Sequence, residues 1–127
     1  MMQPTIAHWI LLVGGLLPIF SVAIAKATRS YDNADPRNPA NFADPVRQRA
    51  HAAHANSYEA FPFFAVGVLL ATLRAAPPGH VDLAAGIWLV FRLLYIGCYL
   101  GGWAGLRSIT WFGAFFAALS LYVIALT

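Results

Sequence analysis

The chain has 127 residues, 60% of them hydrophobic and only 10% charged, whereas an average soluble domain carries about 25% charged residues. That balance excludes a water-soluble globule, and the formal charge of +3 rests on cations too few and too scattered for a nucleic-acid surface. The single cysteine, Cys98, excludes an intrachain disulfide and a Cys-rich metal site and reads as a small apolar residue within a helix.

A bilayer crossing uses about 20 residues, and the first apolar stretch, about 5–25, is uncharged and longer than the apolar region of a cleavable signal. It predicts a permanent span, closed at its inner end by Lys26 and Arg29. Gly14 and Gly15 allow a second helix to approach closely, and Pro18 predicts a bend. The segment 31–45, YDNADPRNPANFADP, holds three prolines, three asparagines and three aspartates. This is turn chemistry without apolar periodicity, and it predicts the one substantial loop.

Span two is expected over about 46–74, but only 60–73 is continuously apolar. Its polar, alanine-rich first half must face protein or water. A break at 75–79 (AAPPG) precedes span three, about 81–101, with Arg92 in its middle. Gly101, Gly102 and Gly105 predict a turn before span four, about 108–126, which is uncharged. The expected fold is all-α: one integral membrane four-helix bundle over 1–127.

Lys26, Arg29, Arg37, Arg47, Arg49 and Arg107 fall on one side of these spans and only Arg74 on the other. The positive-inside rule then places loop 26–47 in the cytoplasm and both termini outside. Trp9, Trp88, Trp103 and Trp111 fall mostly near the expected span ends, where interfacial tryptophans sit.

At about 100° per residue, Arg49, Asn56 and Glu59 share one sector of span two, while Arg92, Tyr95, Tyr99 and Trp103 share a face of span three. An ion at this depth costs about 2.5–3.5 kcal/mol unless it is paired or lines a wet cavity. The simplest arrangement pairs Glu59 with Arg92; the same polar groups also suit simple interhelical packing. Pro62 leaves the Tyr58 carbonyl without its helical donor, which predicts a kink and space beside Glu59. His51 and His54 stand three apart without a third ligand, so no metal site is expected, and His54 is expected to hydrogen-bond at the helix surface. There is no nucleophile elbow, phosphate loop or Ser-His-Asp order.

At these residues the chain resembles the MAPEG family, the membrane-associated proteins in eicosanoid and glutathione metabolism, as a bacterial-type member. The resemblance rests on Arg49, Asn56, Glu59, Phe61 and Pro62 in span two, on Arg92, Tyr95 and Tyr99 in span three, and on Arg107 and Ser108 at the start of span four. It implies a homotrimer in a bacterial inner membrane that binds glutathione as cosubstrate between neighbouring protomers, at the cytoplasmic side, with Arg49, Asn56, Glu59, Arg92, Tyr95 and Tyr99 as its binding residues. It also implies that Arg107 stabilises the glutathione thiolate and that Ser108 donates to the sulfur or to a peroxide oxygen. The function implied is a membrane transferase or peroxidase acting on hydrophobic small molecules, either lipophilic electrophiles or lipid hydroperoxides. The alternative is a non-catalytic lipid-binding or structural trimer of the same fold, because the family includes such a member; a transporter is a weaker third reading. The chain departs from the family pattern at Ala52, where other members carry a second arginine. That change removes a carboxylate clamp and leaves Lys26, Arg29 or Arg37 to compensate.

Overall fold

A computed structural model describes residues 3–127. Four α-helices make up almost all of it: α1 Ile6–Lys26, α2 Pro45–Leu73, α3 Pro78–Gly101 and α4 Ala104–Leu126, with a short 3₁₀ turn at Pro39–Phe42 in the first loop. All four helices are long and apolar enough to cross a membrane, and no strand occurs among the described residues. The chain is therefore an all-α, multi-pass membrane bundle.

Two helix ends explain how short connections suffice. At Gly102, φ is 75°, and the N–H groups of Gly102 and Trp103 donate to the carbonyls of Tyr99 (3.1 Å) and Cys98 (2.9 Å). This left-handed cap satisfies two orphan carbonyls and reverses the chain within a residue or two. The same pattern closes α2, where Ala75 and Ala76 donate to Thr72 and Ala71, both at 3.0 Å. There the left-handed residue is Ala75 (φ 53°), which lacks glycine's freedom. Because Gly102 alone makes the turn, Gly105 is helical and α4 starts four residues before the expected boundary at 108. Arg107 thus sits on the first turn of α4 and not in a connection.

Helix α2 packs against all three other helices, whereas α1 and α4 lie apart on opposite sides of the α2–α3 pair. The core between them is built on Phe64 and Trp88, whose rings stack at 3.7 Å and 4°. Trp88 is only 2% exposed, so it belongs to the core and corrects the expectation of a span-end position. Trp9 and Trp103, by contrast, are exposed. Pro18 and Pro62 both lie within continuous helices; the carbonyl of Pro18 is 2.8 Å from His54 Nδ1, which ties α1 to α2. At the other end, the Asp82 carboxylate of α3 accepts from the Ala7 N–H (2.8 Å), one of the orphan donors opening α1.

The first loop is knotted by Asn41. Its carbonyl oxygen accepts from the Asp32 N–H (2.8 Å), and its amide donates to the Asp32 and Asp35 carbonyls. Phe42 is buried and stacks on His51 at 4.2 Å, and the Asp44 carboxylate caps α2 through the Arg47 N–H. The 3₁₀ turn packs only on α1 and α2, on the side of α2 away from α4.

Gly14 is where α1 meets the Trp88 ring: a Cβ there would lie 2.9 Å from it, and Trp88 is pinned by Phe64 behind it. At Gly15 the nearest atom, on Phe61, is 3.4 Å away. Gly14→Ala is therefore expected to cost about 1–3 kcal/mol of overpacking, partly offset by about 1 kcal/mol of helix propensity. Gly15→Ala should be neutral or stabilising. Thermal unfolding in detergent checks the pair, with a lowered midpoint expected for the first variant alone.

Candidate functional site

Helices α2 and α4 pack tightly at Gly67, where a Cβ would stand 3.1 Å from Leu121 Cβ and from the Tyr122 ring. The Tyr122 hydroxyl donates to the Phe63 carbonyl at 2.9 Å and closes this end. Toward Asn56 and Trp111 the two helices part, leaving a cleft of 240 Å³ with α3 as its floor. Asn56, Glu59 and Phe63 line it from α2, Trp88 and Arg92 from α3, and Trp111 and Phe115 from α4.

Arg92 is the largest fully buried side chain of the core, at 1% exposure. Its guanidinium lies over the Tyr95 ring, 4.4 Å from the centroid, and both of its terminal nitrogens lack a hydrogen-bond partner. The expected Glu59–Arg92 ion pair is therefore corrected. Glu59 stands on the cleft's exposed rim and accepts from the Asn56 amide at 3.2 Å, while Arg92 stays on the floor over the Tyr95 ring. The Asn56 carbonyl oxygen is likewise buried and unpartnered. A buried cation left in this state costs several kcal/mol, and two parallel guanidinium donors match a carboxylate.

A second chamber, also of 240 Å³, is lined by Asn56, Tyr95, Arg107, Ser108, Trp111 and Phe112. Asn56 and Trp111 border both chambers. The Arg107 guanidinium lies 4.5 Å from the Tyr99 ring centroid, and Tyr95 and Tyr99 meet edge to face at 5.6 Å. Two arginines thus rest on two touching tyrosines, one deep and one near the α4 start. Cation–π contact of this kind holds a guanidinium in place while leaving its N–H groups free in the ring plane.

The structure thereby places Asn56, Glu59 and Arg92 at the cleft and Asn56, Tyr95, Arg107 and Ser108 at the second chamber, with Tyr99 against Arg107. Ser108 donates back to the Ala104 carbonyl at 3.2 Å. Arg49 lines neither chamber: its Nε donates to the Leu100 carbonyl at 3.1 Å, which ties α2 to the negative end of α3. His51 and His54 serve packing, with ring centroids 6.1 Å apart, and no group of three potential metal ligands occurs among the described residues. Sequence reasoning missed the aromatic wall of α4. The signal was present, since Ser108, Trp111, Phe112 and Phe115 recur at three- and four-residue steps and share a helix face.

A model of the MAPEG family matches residues 6–127. The chain belongs to the MAPEG family. It is thus a member of a group of membrane proteins associated in general with glutathione chemistry of the transferase and peroxidase type. None of the curated proteins matches it. The four helices, the Asn56–Glu59 pair on α2 and the Arg92–Tyr95–Tyr99 face on α3 fall within the matched range.

Within one chain Arg49 is held on α3 and outside both cavities. Arg49→Gln removes the bond to Leu100 and is expected to lower stability by about 1 kcal/mol, with ligand affinity in the cleft unchanged; chemical unfolding and calorimetry on the same preparation check both halves.

Proposed function

We propose that this MAPEG protein is a glutathione-dependent membrane transferase or peroxidase that acts on lipophilic electrophiles or lipid hydroperoxides, and that it works as a homotrimer. The observation that carries this reading is the buried Arg92, a lining residue of the cleft together with Asn56 and Glu59, whose two terminal nitrogens have no hydrogen-bond partner. A planar fork of this kind takes a carboxylate in bidentate fashion. Asn56, with an unpartnered carbonyl oxygen, takes a peptide N–H, and Glu59 on the rim takes a cationic amine. Carboxylate, peptide and amine are the functional groups of glutathione, so the residues fit it.

Bound glutathione supplies the sulfur nucleophile. The task of the chain is to keep that sulfur ionised, because an ordinary thiol near pKa 8.5 is mostly protonated at neutral pH. Arg107, steadied on Tyr99, provides the positive charge for the thiolate. Ser108, one residue on, reaches the same chamber once its hydroxyl turns from Ala104. In this reading the basic end, with Lys26, Arg29, Arg37 and Arg47, lies in the cytoplasm of a bacterial inner membrane. That orientation gives soluble glutathione access from the cytoplasm, and the acceptor arrives from lipid. Ala52 provides no second carboxylate clamp, so the affinity rests on Arg92.

Isothermal calorimetry in detergent tests the binding. Wild type is expected to bind glutathione in the millimolar range or better, and Arg92→Ala to weaken binding at least tenfold, as for truncating one partner of a buried charged contact. Arg107→Ala should leave binding nearly intact and lower turnover about 10²–10³-fold, the usual loss on removing one charge-stabilising donor. Absence of any binding to wild type would overturn the reading in favour of a lipid-binding or structural trimer, and equal turnover in Arg107→Ala would remove that residue's role.

A further inference from the structure

We infer that the pocket where the start of α1, the end of α2 and the start of α3 meet binds an uncharged lipid through a carbonyl oxygen, which accepts the Nε2–H of His8. This pocket shares no lining residue with the cleft of Arg92 or the chamber of Arg107, and the inference does not depend on the glutathione reading.

The pocket has a volume of 390 Å³, within the range of about 300–1,000 Å³ usual for small-molecule sites. Thr5 and His8 line it at the start of α1, Thr72 and Ala76 at the end of α2, and Pro78 and Val81 on α3. Among the described residues, no charged side chain lines it. Asp82 and Arg74, the charged residues of this end, are engaged elsewhere: the Asp82 carboxylate takes the Ala7 N–H at 2.8 Å, and Arg74 Nε donates to the Ala125 carbonyl at 3.3 Å. An ionised ligand would therefore enter without a counter-charge, which selects a neutral one.

His8 decides which atom of that ligand is held. The Thr5 N–H donates to His8 Nδ1 at 2.9 Å. A backbone N–H can only donate, so Nδ1 carries the lone pair and the ring proton is assigned to Nε2. The Thr72 hydroxyl donates to the Val68 carbonyl at 2.8 Å, so toward His8 it accepts. The distance from Nε2 to the Thr72 Oγ1 is 3.3 Å, beyond the usual range of about 2.7–3.2 Å for an N–H···O bond. His8 thus presents a loosely held donor between two residues that line the pocket, and an acceptor oxygen is the group that completes it.

Depth points to the same chemistry. His8 lies on the first turn of α1 and Thr72 on the last turn of α2, so the pocket sits where the spans leave a hydrocarbon core of about 30 Å and enter the interface. Glycerolipid esters and the ring of a membrane quinone both offer an uncharged carbonyl at that level, with an apolar remainder to lie on Ala76, Pro78 and Val81.

Calorimetry in dodecyl maltoside, a detergent without a carbonyl, tests the site with two probes: 1,2-dioctanoylglycerol for the ester source and decylubiquinone for the quinone source. Wild type is expected to bind at least one of them saturably, with the carbonyl stretch of the bound probe lowered in infrared difference spectra. His8→Phe, which keeps a ring but no donor, should bind about tenfold more weakly. Thr72→Val deletes the competing acceptor and keeps the shape, so its affinity is expected to hold or rise. Saturation by the glyceride alone identifies an ester lipid, by decylubiquinone alone a quinone, and by both a site for either carbonyl. No saturable binding of either probe, an unshifted carbonyl stretch, equal affinity in His8→Phe or a loss in Thr72→Val overturns the proposal. His8→Phe also gives up the bond from Thr5, so circular dichroism checks its fold; if it misfolds, the wild-type carbonyl shift and Thr72→Val decide.

Discussion

A cation buried without a partner is the constraint around which this bundle is arranged. Arg92 lies at the middle of α3 among apolar helices, where an isolated charge is costly, yet both of its terminal nitrogens remain unpartnered. What keeps it tolerable is the ring of Tyr95 beneath it and a cleft in front of it. The cleft exists because α2 and α4 touch at Gly67 and not at Asn56. Asn56 and Glu59 of α2 then face this opening, while Arg49, His51 and His54 of the same polar half are taken up by α3, the loop and α1. Charge, cleft and helix divergence are one arrangement seen from three sides.

Much of this was legible in the residues. Apolar length gives the four helices, turn residues give the long loop, and helical spacing places Asn56, Glu59, Arg92 and Tyr95 on inward faces. Other features were not legible, for identifiable physical reasons. Spacing fixes which residues share a face but not how far two helices stand apart, so it could not say that Glu59 would remain on the rim, bonded to Asn56, rather than reach Arg92. Arg49 shares the sector of Asn56 and Glu59, but a helix end with free carbonyls lies within its reach and takes it. Three glycines looked like a wide turn, whereas a single left-handed residue sufficed and the helix resumed at once. Trp88 had the composition of an interfacial residue but lies opposite Gly14, which leaves room for its ring in the core.

The two sides of α2 do different work. Toward α1 it carries His51 and His54, which dock Phe42 and the Pro18 carbonyl and hold the loop against the bundle. Toward α3 and α4 it carries Asn56, Glu59 and Phe63, which line the cleft. The 3₁₀ turn packs only on α1 and α2, so this part of the loop braces α2 on its α1 side.

The tight cap at Gly102 has a bearing on biogenesis. With only Gly102 and Trp103 between them, α3 and α4 form a hairpin too short for either helix to reside in the bilayer while the other waits in water. Such a hairpin holds Arg92, its Tyr95 ring and a second helix with no charge beyond its first turn together, so the cost of placing the arginine in hydrocarbon falls on the pair and not on α3 alone.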